Sequence, residues 1–281
     1  MARDRSLLLV LPGLAVVVLL FIYPFAYGFW LSFQPKQGGL LANYQRFFAD
    51  PFLYETITTT FGLAVPATLV NVGLALPIAF KLRRNSRGQR LLATALVVPI
   101  TLGTVLIAEG LLNYLGPQGW VNRTLIDLGL IGSPLRLTHN YWGVFLALVV
   151  SEFPFAFLLI LSYITGIDPA LPQAAATLGA TPARQFFHVY LPILAPGLAI
   201  TFCLCFVQAF SVFPSAVLLG APAGPTRVIS IAAYQAAFEE YDYSMASAIA
   251  MIMGAVELVI VAAVLGLRGV VYRGPASGGK G

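Results

Sequence analysis

Long blocks of apolar residues alternate with short polar segments along the chain, and this pattern predicts the elements. Each block exceeds the roughly 20 residues that a helix needs to cross a hydrocarbon layer about 30 Å thick. Strands of a membrane barrel would be about ten residues long and would alternate polar with apolar positions, which these blocks do not do. The sequence therefore predicts six transmembrane helices, with approximate spans 7–33, 54–80, 91–115, 141–167, 193–219 and 245–271.

Composition points to the same class of protein. Of the 281 residues, 59% are hydrophobic and 10% are charged, whereas about a quarter of a soluble protein is charged. This excludes a soluble enzyme, a disordered chain, a disulfide scaffold and a nucleic-acid-binding domain. We expect an all-α polytopic membrane protein in which residues 1–273 form a single transmembrane domain and residues 274–281 form a disordered tail.

The first apolar block could belong to a signal peptide, but the apolar region of such a peptide is only about 7–15 residues long. This block continues to Tyr27, Phe29 and Trp30, and aromatic residues at its end are typical of a membrane interface. We therefore expect a retained helix. Lysine and arginine accumulate in cytoplasmic loops, and with a cytoplasmic N-terminus eleven of the 16 lie inside. Both termini are thus expected in the cytoplasm.

Two loops then lie on the inside. The first, residues 81–90, is short and basic, and we interpret it as a topology anchor beside anionic lipid. The second, residues 168–192, is longer and far less charged. This second loop carries most of the functional information in the sequence.

The second inside loop predicts two short helices. Residues 173–178 are rich in alanine, and Gly179 is a typical C-cap. Thr181 followed by Pro182 predicts the N-cap and first turn of the next helix. The phenylalanines at 186–187 are expected to be exposed. A small-residue surface with exposed aromatics suits docking to a partner protein, and a helix lying on the membrane surface is the alternative that the pattern leaves open.

This loop resembles the EAA loop of the inner-membrane permease subunits of ABC importers. The family pattern is Glu-Ala-Ala, three residues, Gly, nine residues, Ile, one residue, Leu-Pro. The present sequence keeps this spacing throughout, with Gln173 in place of the Glu and Val189 in place of the Ile. In the family the charge of that Glu helps to hold the loop at the ATPase. Docking here is expected to rely on hydrogen bonds from Gln173.

The resemblance extends over nearly the whole chain. Residues 41–50 and 119–129 resemble the outside segments that follow the first and third helices of these permeases. Together they are most similar to the first permeases of polyamine importers, with sugar and glycerol-phosphate permeases second. The resemblance implies the type I importer permease (MetI-like) fold in the bacterial cytoplasmic (inner) membrane, and a small polar solute such as a polyamine as cargo.

The resemblance also implies partners. They are a second permease subunit, expected to be a different chain, two ATPase subunits, an extracytoplasmic substrate-binding protein and the surrounding membrane lipid. The sequence contains no G-x-x-x-x-G-K-[ST] motif. We therefore expect no catalytic residue, metal or cofactor on this chain, with ATP and Mg²⁺ bound by the partner ATPase. The residues that the resemblance assigns to ATPase coupling are Gln173, Ala174, Ala175, Gly179, Ala180, Arg184, Phe186, Phe187, Leu191 and Pro192.

Polar residues inside the spans are candidates for the substrate pathway, because intramembrane charges are costly and usually face a pathway or a partner. A hydrogen-bonded packing role is the alternative for each, and for Glu257 we expect a helix–helix contact. No lysine or arginine lies within a span core, which favours a cationic or hydroxyl-rich solute over an anion. The candidate pathway residues are Glu152, Gln208, Ser211, Glu109 and Asn71.

Two other classes compete with an importer subunit. A stand-alone secondary transporter would show internal repeats and discontinuous helices, and no convincing repeat is found. An intramembrane enzyme would need paired catalytic groups at one depth, and no such pair stands out in the sequence.

Overall fold

The structure is a computed structural model in which residues 11–84 and 86–271 are described, apart from the side chains of 268–271. The predicted disordered tail, 274–281, and the first residues of the first predicted span, 7–10, lie outside the described residues. Regular secondary structure in the described part of the chain is helical.

The helices are numbered in chain order. They are α1 (Leu11–Ser32), α2 (Ala42–Ala49), α3 (Pro51–Lys81), α4 (Arg87–Leu115), α5 (Trp120–Asp127), α6 (Tyr141–Thr165), α7 (Ala170–Thr177), α8 (Pro182–Phe210), α9 (Pro214–Leu219), α10 (Ile229–Tyr234) and α11 (Tyr243–Val271). Six helical stretches, which contain α1, α3, α4, α6, α8 and α11, are long and apolar enough to cross a membrane. This confirms the prediction of an all-α protein with six spans.

Side-chain caps mark where three of these helices begin. The Ser86 hydroxyl accepts a hydrogen bond from the Gln89 N–H at the start of α4, over 3.2 Å. Asn140 does the same for Gly143 at the start of α6, over 3.1 Å. Such caps satisfy N–H groups that have no partner inside the helix. Thr181 caps α8 through the Arg184 N–H, which confirms Thr181 as the predicted N-cap.

The fifth span requires a correction at both ends. We predicted a span over 193–219 that was preceded by a separate short helix. Instead α8 runs without a break from Pro182, through a π-helical turn at Phe186–Tyr190, to Phe210. The physical reason is that Pro192 falls next to this π-helical turn, where the regular backbone bonding is already altered. At the other end Pro214 starts the new helix α9, since proline fits the first turn of a helix better than its interior.

The described chain separates into two compact units. One consists of the described residues up to Ile57 together with Ile229–Ala255, and the other of Thr58–Val228 with the residues from Val256 onward. The predicted single domain over 1–273 stays a prediction.

Polar contacts hold the first unit together outside its apolar helices. The Asn43 amide donates to the Ser32 carbonyl over 3.0 Å and to the Ser244 hydroxyl over 2.6 Å. The Lys36 ammonium lies 3.6 Å from the Asp242 carboxylate. These contacts tie the segment after α1 to the segment before α11, which are far apart in the sequence.

A core of apolar side chains joins α3, α6 and α8 in the second unit. Ala75 and Ala79 on α3 are fully buried there, together with Phe157 on α6 and Cys205 on α8. Between membrane helices it is packing, rather than the hydrophobic effect, that stabilises the contact, and small residues such as these let the helices approach closely. Cys205 is a free thiol within this core.

The beginning of α6 packs directly on the end of α9. The Asn140 N–H donates to the Leu219 carbonyl over 3.2 Å. A Cβ atom added to Gly143 would lie 2.5 Å from the Leu219 oxygen and 2.8 Å from the Leu137 oxygen. Both neighbours are backbone atoms, so they cannot move aside as a flexible side chain could. The position therefore requires glycine for close approach.

We expect Gly143→Ala to lower the free energy of unfolding by about 1–3 kcal/mol, the usual range for an overpacked site. Thermal unfolding of the purified chain in detergent measures this. Gly73→Ala on α3 is the matched control, because a Cβ there has no neighbour within 4 Å, and its stability should be unchanged or raised by up to about 1 kcal/mol. Equal unfolding temperatures for the two variants would contradict the close approach.

Candidate functional site

The predicted coupling segment folds as two helices that meet at a glycine turn. Gly179 follows α7 with a φ of +81°, a left-handed conformation that glycine adopts without strain. The Ala180 N–H donates to the Ala175 carbonyl over 3.0 Å, and the Gly179 N–H donates to the Ala176 carbonyl over 2.9 Å. This is the bonding pattern of a Schellman motif, which satisfies the last carbonyls of a helix. The predicted C-cap at Gly179 is confirmed.

The outer surface of this segment is open. Leu178 is 88% exposed and Phe187 is 60% exposed, and Gln173, Ala174 and Arg184 are exposed as well. The expectation that both phenylalanines are exposed is half wrong, because Phe186 is partly buried. Its ring packs edge-on against Phe80 of α3, with 4.7 Å between the ring centroids.

An aromatic cluster fastens the segment to the membrane helices. The Tyr190 ring lies edge-on to Phe80, with 5.1 Å between the centroids. The Arg83 guanidinium stands 4.0 Å over the Phe80 ring and donates to the Phe80 carbonyl and to the Tyr190 hydroxyl, over 2.7 and 3.3 Å. Leu191 and Pro192 lie within α8 next to this cluster. The segment that follows the glycine turn is thus packed against the end of α3 and is continuous with α8.

Two candidate pathway residues meet inside the second unit. Asn71 is fully buried and Glu152 is 5% exposed, and the Asn71 amide nitrogen lies 3.4 Å from the Glu152 carboxylate. The same nitrogen lies 3.5 Å from the Leu148 carbonyl. The pair thus joins α3 to α6, as the packing alternative expected. Their part in a pathway stays a prediction.

The remaining candidate pathway residues are more open. Ser211, in the interruption between α8 and α9, donates to the Glu257 carboxylate of α11 over 2.8 Å, so Glu257 makes the predicted helix contact. Gln208 lies exposed one turn earlier on α8. Glu109 is exposed on α4 and accepts from the Asn113 amide over 3.4 Å. The structure therefore does not gather all candidates at one place.

Sequence reasoning missed an interruption inside α4. Gly103 has φ +77° and ψ 158°, so the helix predicted as one span over 91–115 is broken there. Irregular backbone at membrane depth is stable only where protein covers it or where it lines an aqueous cavity, and discontinuous helices line substrate sites in transporters. Gly103 is exposed, and Thr101 and Thr104 flank it. Pro99, four residues earlier, was the signal in the sequence. We add Gly103 to the candidate pathway residues.

We expect Asn71→Ala to lower the free energy of unfolding by about 1–3 kcal/mol, because the buried Glu152 carboxyl then loses a hydrogen-bond partner. Asn113→Ala is the matched control, since Asn113 makes the same kind of bond to Glu109 at an exposed site, and its effect should stay within about 0.5 kcal/mol. Thermal unfolding in detergent compares the two variants. Equal losses would show that burial of the Asn71–Glu152 pair has no energetic consequence.

Comparisons with known proteins bear on this geometry. Residues 38–274 match the family model described as "Binding-protein-dependent transport system inner membrane component". The spermidine/putrescine transport system permease protein PotB of Haemophilus influenzae is 29% identical over 181 residues, which cover 64% of this chain and 63% of that protein. The chain thus matches less than two thirds of that relative's length. A probable sulfate transport system permease protein, cysT, of Prototheca wickerhamii is 30% identical over 214 residues, which cover 75% of this chain and 82% of that protein.

A solved structure shares the fold. One chain of a bacterial alginate ABC transporter, crystallised with an alginate pentasaccharide-bound periplasmic protein, superposes with a TM-score of 0.83 at 23% identity, over 97% of this chain and 96% of that chain. At this identity the likeness shows the fold alone, and it confirms the predicted MetI-like permease fold. The inner-membrane location is confirmed by the family. The chain belongs to the family of binding-protein-dependent transport system inner membrane components.

Proposed function

We propose that this chain is the permease subunit of an ABC importer and that the turn at Gly179 couples it to separate ATPase subunits. The observation that carries the proposal is the turn itself. It is closed by two backbone hydrogen bonds, it presents an exposed surface around Leu178 and Phe187, and it is fastened to α3 and α8 by the ring of Phe80. Membership of a binding-protein-dependent permease family supports it.

The geometry suits the transmission of a rigid-body movement. Exposed apolar side chains at Leu178 and Phe187 would enter a groove of the ATPase, and the guanidinium of Arg184 and the amide of Gln173 would hydrogen-bond at its rim. ATP and Mg²⁺ bind to the ATPase subunits in this proposal, and closure of those subunits moves the turn. Because the turn is bonded to two spans, its movement shifts α3 and α8 and changes the accessible side of the pathway.

Two further partners complete the proposal. A second permease subunit would cover the exposed faces of the spans, among them α4, in which only Ala108 and Leu115 are buried within this chain. A substrate-binding protein on the outer side would deliver the solute. The alginate transporter, whose structure includes a periplasmic protein carrying a pentasaccharide, supports this kind of partner.

For the cargo we propose a polyamine or a related amine. The described spans carry carboxylates in their interior at Glu109, Glu152 and Glu257, whereas their lysines and arginines lie only near helix ends. Carboxylates that faced the pathway would attract ammonium groups and repel anions. The PotB relative supports the amine. The cysT relative favours sulfate as the second candidate, and an anion of that kind would need cationic groups from the second permease.

We expect Gly179→Val to reduce uptake and permease-dependent ATP hydrolysis about tenfold or more, because a β-branched residue in the left-handed region costs about 1–2 kcal/mol and distorts the turn. Membrane insertion should be unchanged, since a Cβ at Gly179 would have no neighbour within 4 Å. Solute uptake by cells and ATP hydrolysis by the purified complex measure the first effect, and the amount of the chain in the membrane fraction measures the second.

Gly179→Asn is the matched control, because asparagine tolerates the left-handed conformation, and most of the uptake should remain. Normal uptake by Gly179→Val would remove the coupling role of the turn. Loss of membrane insertion in Gly179→Val would show that the turn is needed for folding instead.

The cargo proposal predicts which solute stimulates ATP hydrolysis. The purified complex, reconstituted in liposomes with its binding protein, should hydrolyse ATP faster when that protein has been loaded with spermidine than when it is empty. Sulfate and a neutral disaccharide serve as comparison solutes. Stimulation by sulfate or sugar alone would contradict the amine cargo and would still support an importer. Failure to recover any ATPase partner would overturn the importer and favour a stand-alone carrier.

A further inference from the structure

A cavity lies between the basic loop after α3 and α7, the helix that leads into the turn at Gly179, which we call the coupling turn. It has a volume of about 450 Å³ and is bounded by the basic loop after α3, the end of α6 and the helices α7 and α8. This volume falls within the range of about 300–1,000 Å³ that small-ligand sites occupy. We call it the arginine cavity, after Arg83 and Arg84, and Thr165, Gln173, Gln185 and Tyr190 also line it.

The wall of the arginine cavity is positively charged. Two guanidinium groups line it, and none of its lining residues is acidic. Gln173 brings an amide to this wall at the position where the EAA pattern has glutamate. The cavity therefore has a net charge that no lining residue balances, and an anion from outside the chain would complement it.

The two arginines differ in how firmly they are held. Arg83 is fixed over the Phe80 ring and donates to the Phe80 carbonyl and the Tyr190 hydroxyl, so part of its hydrogen-bonding capacity already serves the end of α3. Arg84 is exposed, and among the described residues neither ion pair includes it. Arg84 is thus the donor that is available to a ligand.

A second cavity continues the same surface. It has a volume of about 510 Å³ and shares Arg83 and Thr165 with the arginine cavity, while Arg90 and Gln89 line its other side. The positive wall therefore extends from the coupling turn along the end of α6 to the first turn of α4. An anionic group with a polar extension would find basic or amide side chains on both sides of Arg83.

The position of the arginine cavity identifies the chemistry of its ligand. Arg83 and Arg84 follow within three residues of Lys81, the last residue of α3, which is long and apolar enough to cross a membrane. The orientation predicted from lysine and arginine places this loop on the cytoplasmic side, where anionic lipids attract basic residues. Guanidinium groups match the geometry of phosphate oxygens. At the end of a membrane span a phospholipid would supply such a phosphate group.

We propose that the arginine cavity binds the phosphate head group of an anionic membrane lipid and that the bound lipid holds the coupling turn against α3. A phosphate between Arg84 and the Gln173 amide would bridge the basic loop to α7. The lipid-binding step stands by itself, and its effect on coupling rests on the proposed function. The bound lipid would then be a requirement for full stimulation of the ATPase.

The test uses the whole complex in nanodiscs of phosphatidylcholine, with or without phosphatidylglycerol. Native mass spectrometry counts the retained phosphatidylglycerol, and ATP hydrolysis measures coupling. We expect Arg84→Gln to reduce lipid retention about fivefold, the effect of one basic residue near an anionic lipid surface. Gln173→Glu should reduce retention likewise, because it adds a carboxylate to the wall. Arg87→Gln is the matched control, since Arg87 belongs to the same loop and lines neither cavity.

Each outcome decides between sources of the anion. Equal losses of lipid in Arg84→Gln and Arg87→Gln would mean diffuse attraction to the membrane surface and would overturn the site. Restoration of ATP hydrolysis by inorganic phosphate in pure phosphatidylcholine would assign the cavity to a free anion and overturn the lipid. If Arg84→Gln lost lipid selectively while ATP hydrolysis stayed unchanged, lipid binding at the arginine cavity would stand. The proposed effect of the lipid on coupling would be contradicted. Absence of any ATPase partner would refute the proposed function and leave lipid retention measurable.

Discussion

The backbone of a chain in lipid must satisfy its own hydrogen bonds, and the rest of this structure depends on that constraint. It explains why the apolar blocks are helices and why polar caps such as Ser86 and Asn140 stand at helix starts. It also explains the close fit of Gly143 against the Leu219 carbonyl, where a helix start meets a helix end. Because the backbone is satisfied within each helix, side-chain contacts such as the one between Asn71 and Glu152 determine which helices pack together.

Rigidity and exposure are combined in the coupling turn. A surface that transmits force must be accessible to a partner and yet must not deform when that partner moves. Gly179 reverses the chain with its carbonyls satisfied, while the ring of Phe80 and the guanidinium of Arg83 hold the base of the turn from the membrane side. The outer face is left free for binding. The division between a fixed inner face and an open outer face suits the mechanical link between subunits that we propose.

Local signals predicted much of this, and contacts between distant residues account for what was missed. The length of the apolar blocks alone predicts six spans. Gly179 and Thr181 predict the turn, because helix capping depends on neighbouring residues. The bond between Ser211 and Glu257 joins residues 46 positions apart, and the burial of Phe186 depends on Phe80 from another helix. No local pattern contains either contact. The helix α8 extends through Leu191-Pro192 because a π-helical turn precedes it, and such a turn, unlike a helix cap, is not announced by a particular residue type.

The interruption of α4 at Gly103 also has a consequence for the stability of the chain before it assembles with a partner. Irregular backbone inside a membrane span is stable only where protein or an aqueous channel meets it, so in the proposed importer the interruption at Gly103 would lower the stability of a chain without its partner. The apparent stability of the chain then follows the law of mass action and rises with the concentration of its partner. In the proposed importer, chains without a partner would then be the less stable population, and a membrane protease that acts on unfolded segments would remove them first and keep subunit numbers balanced.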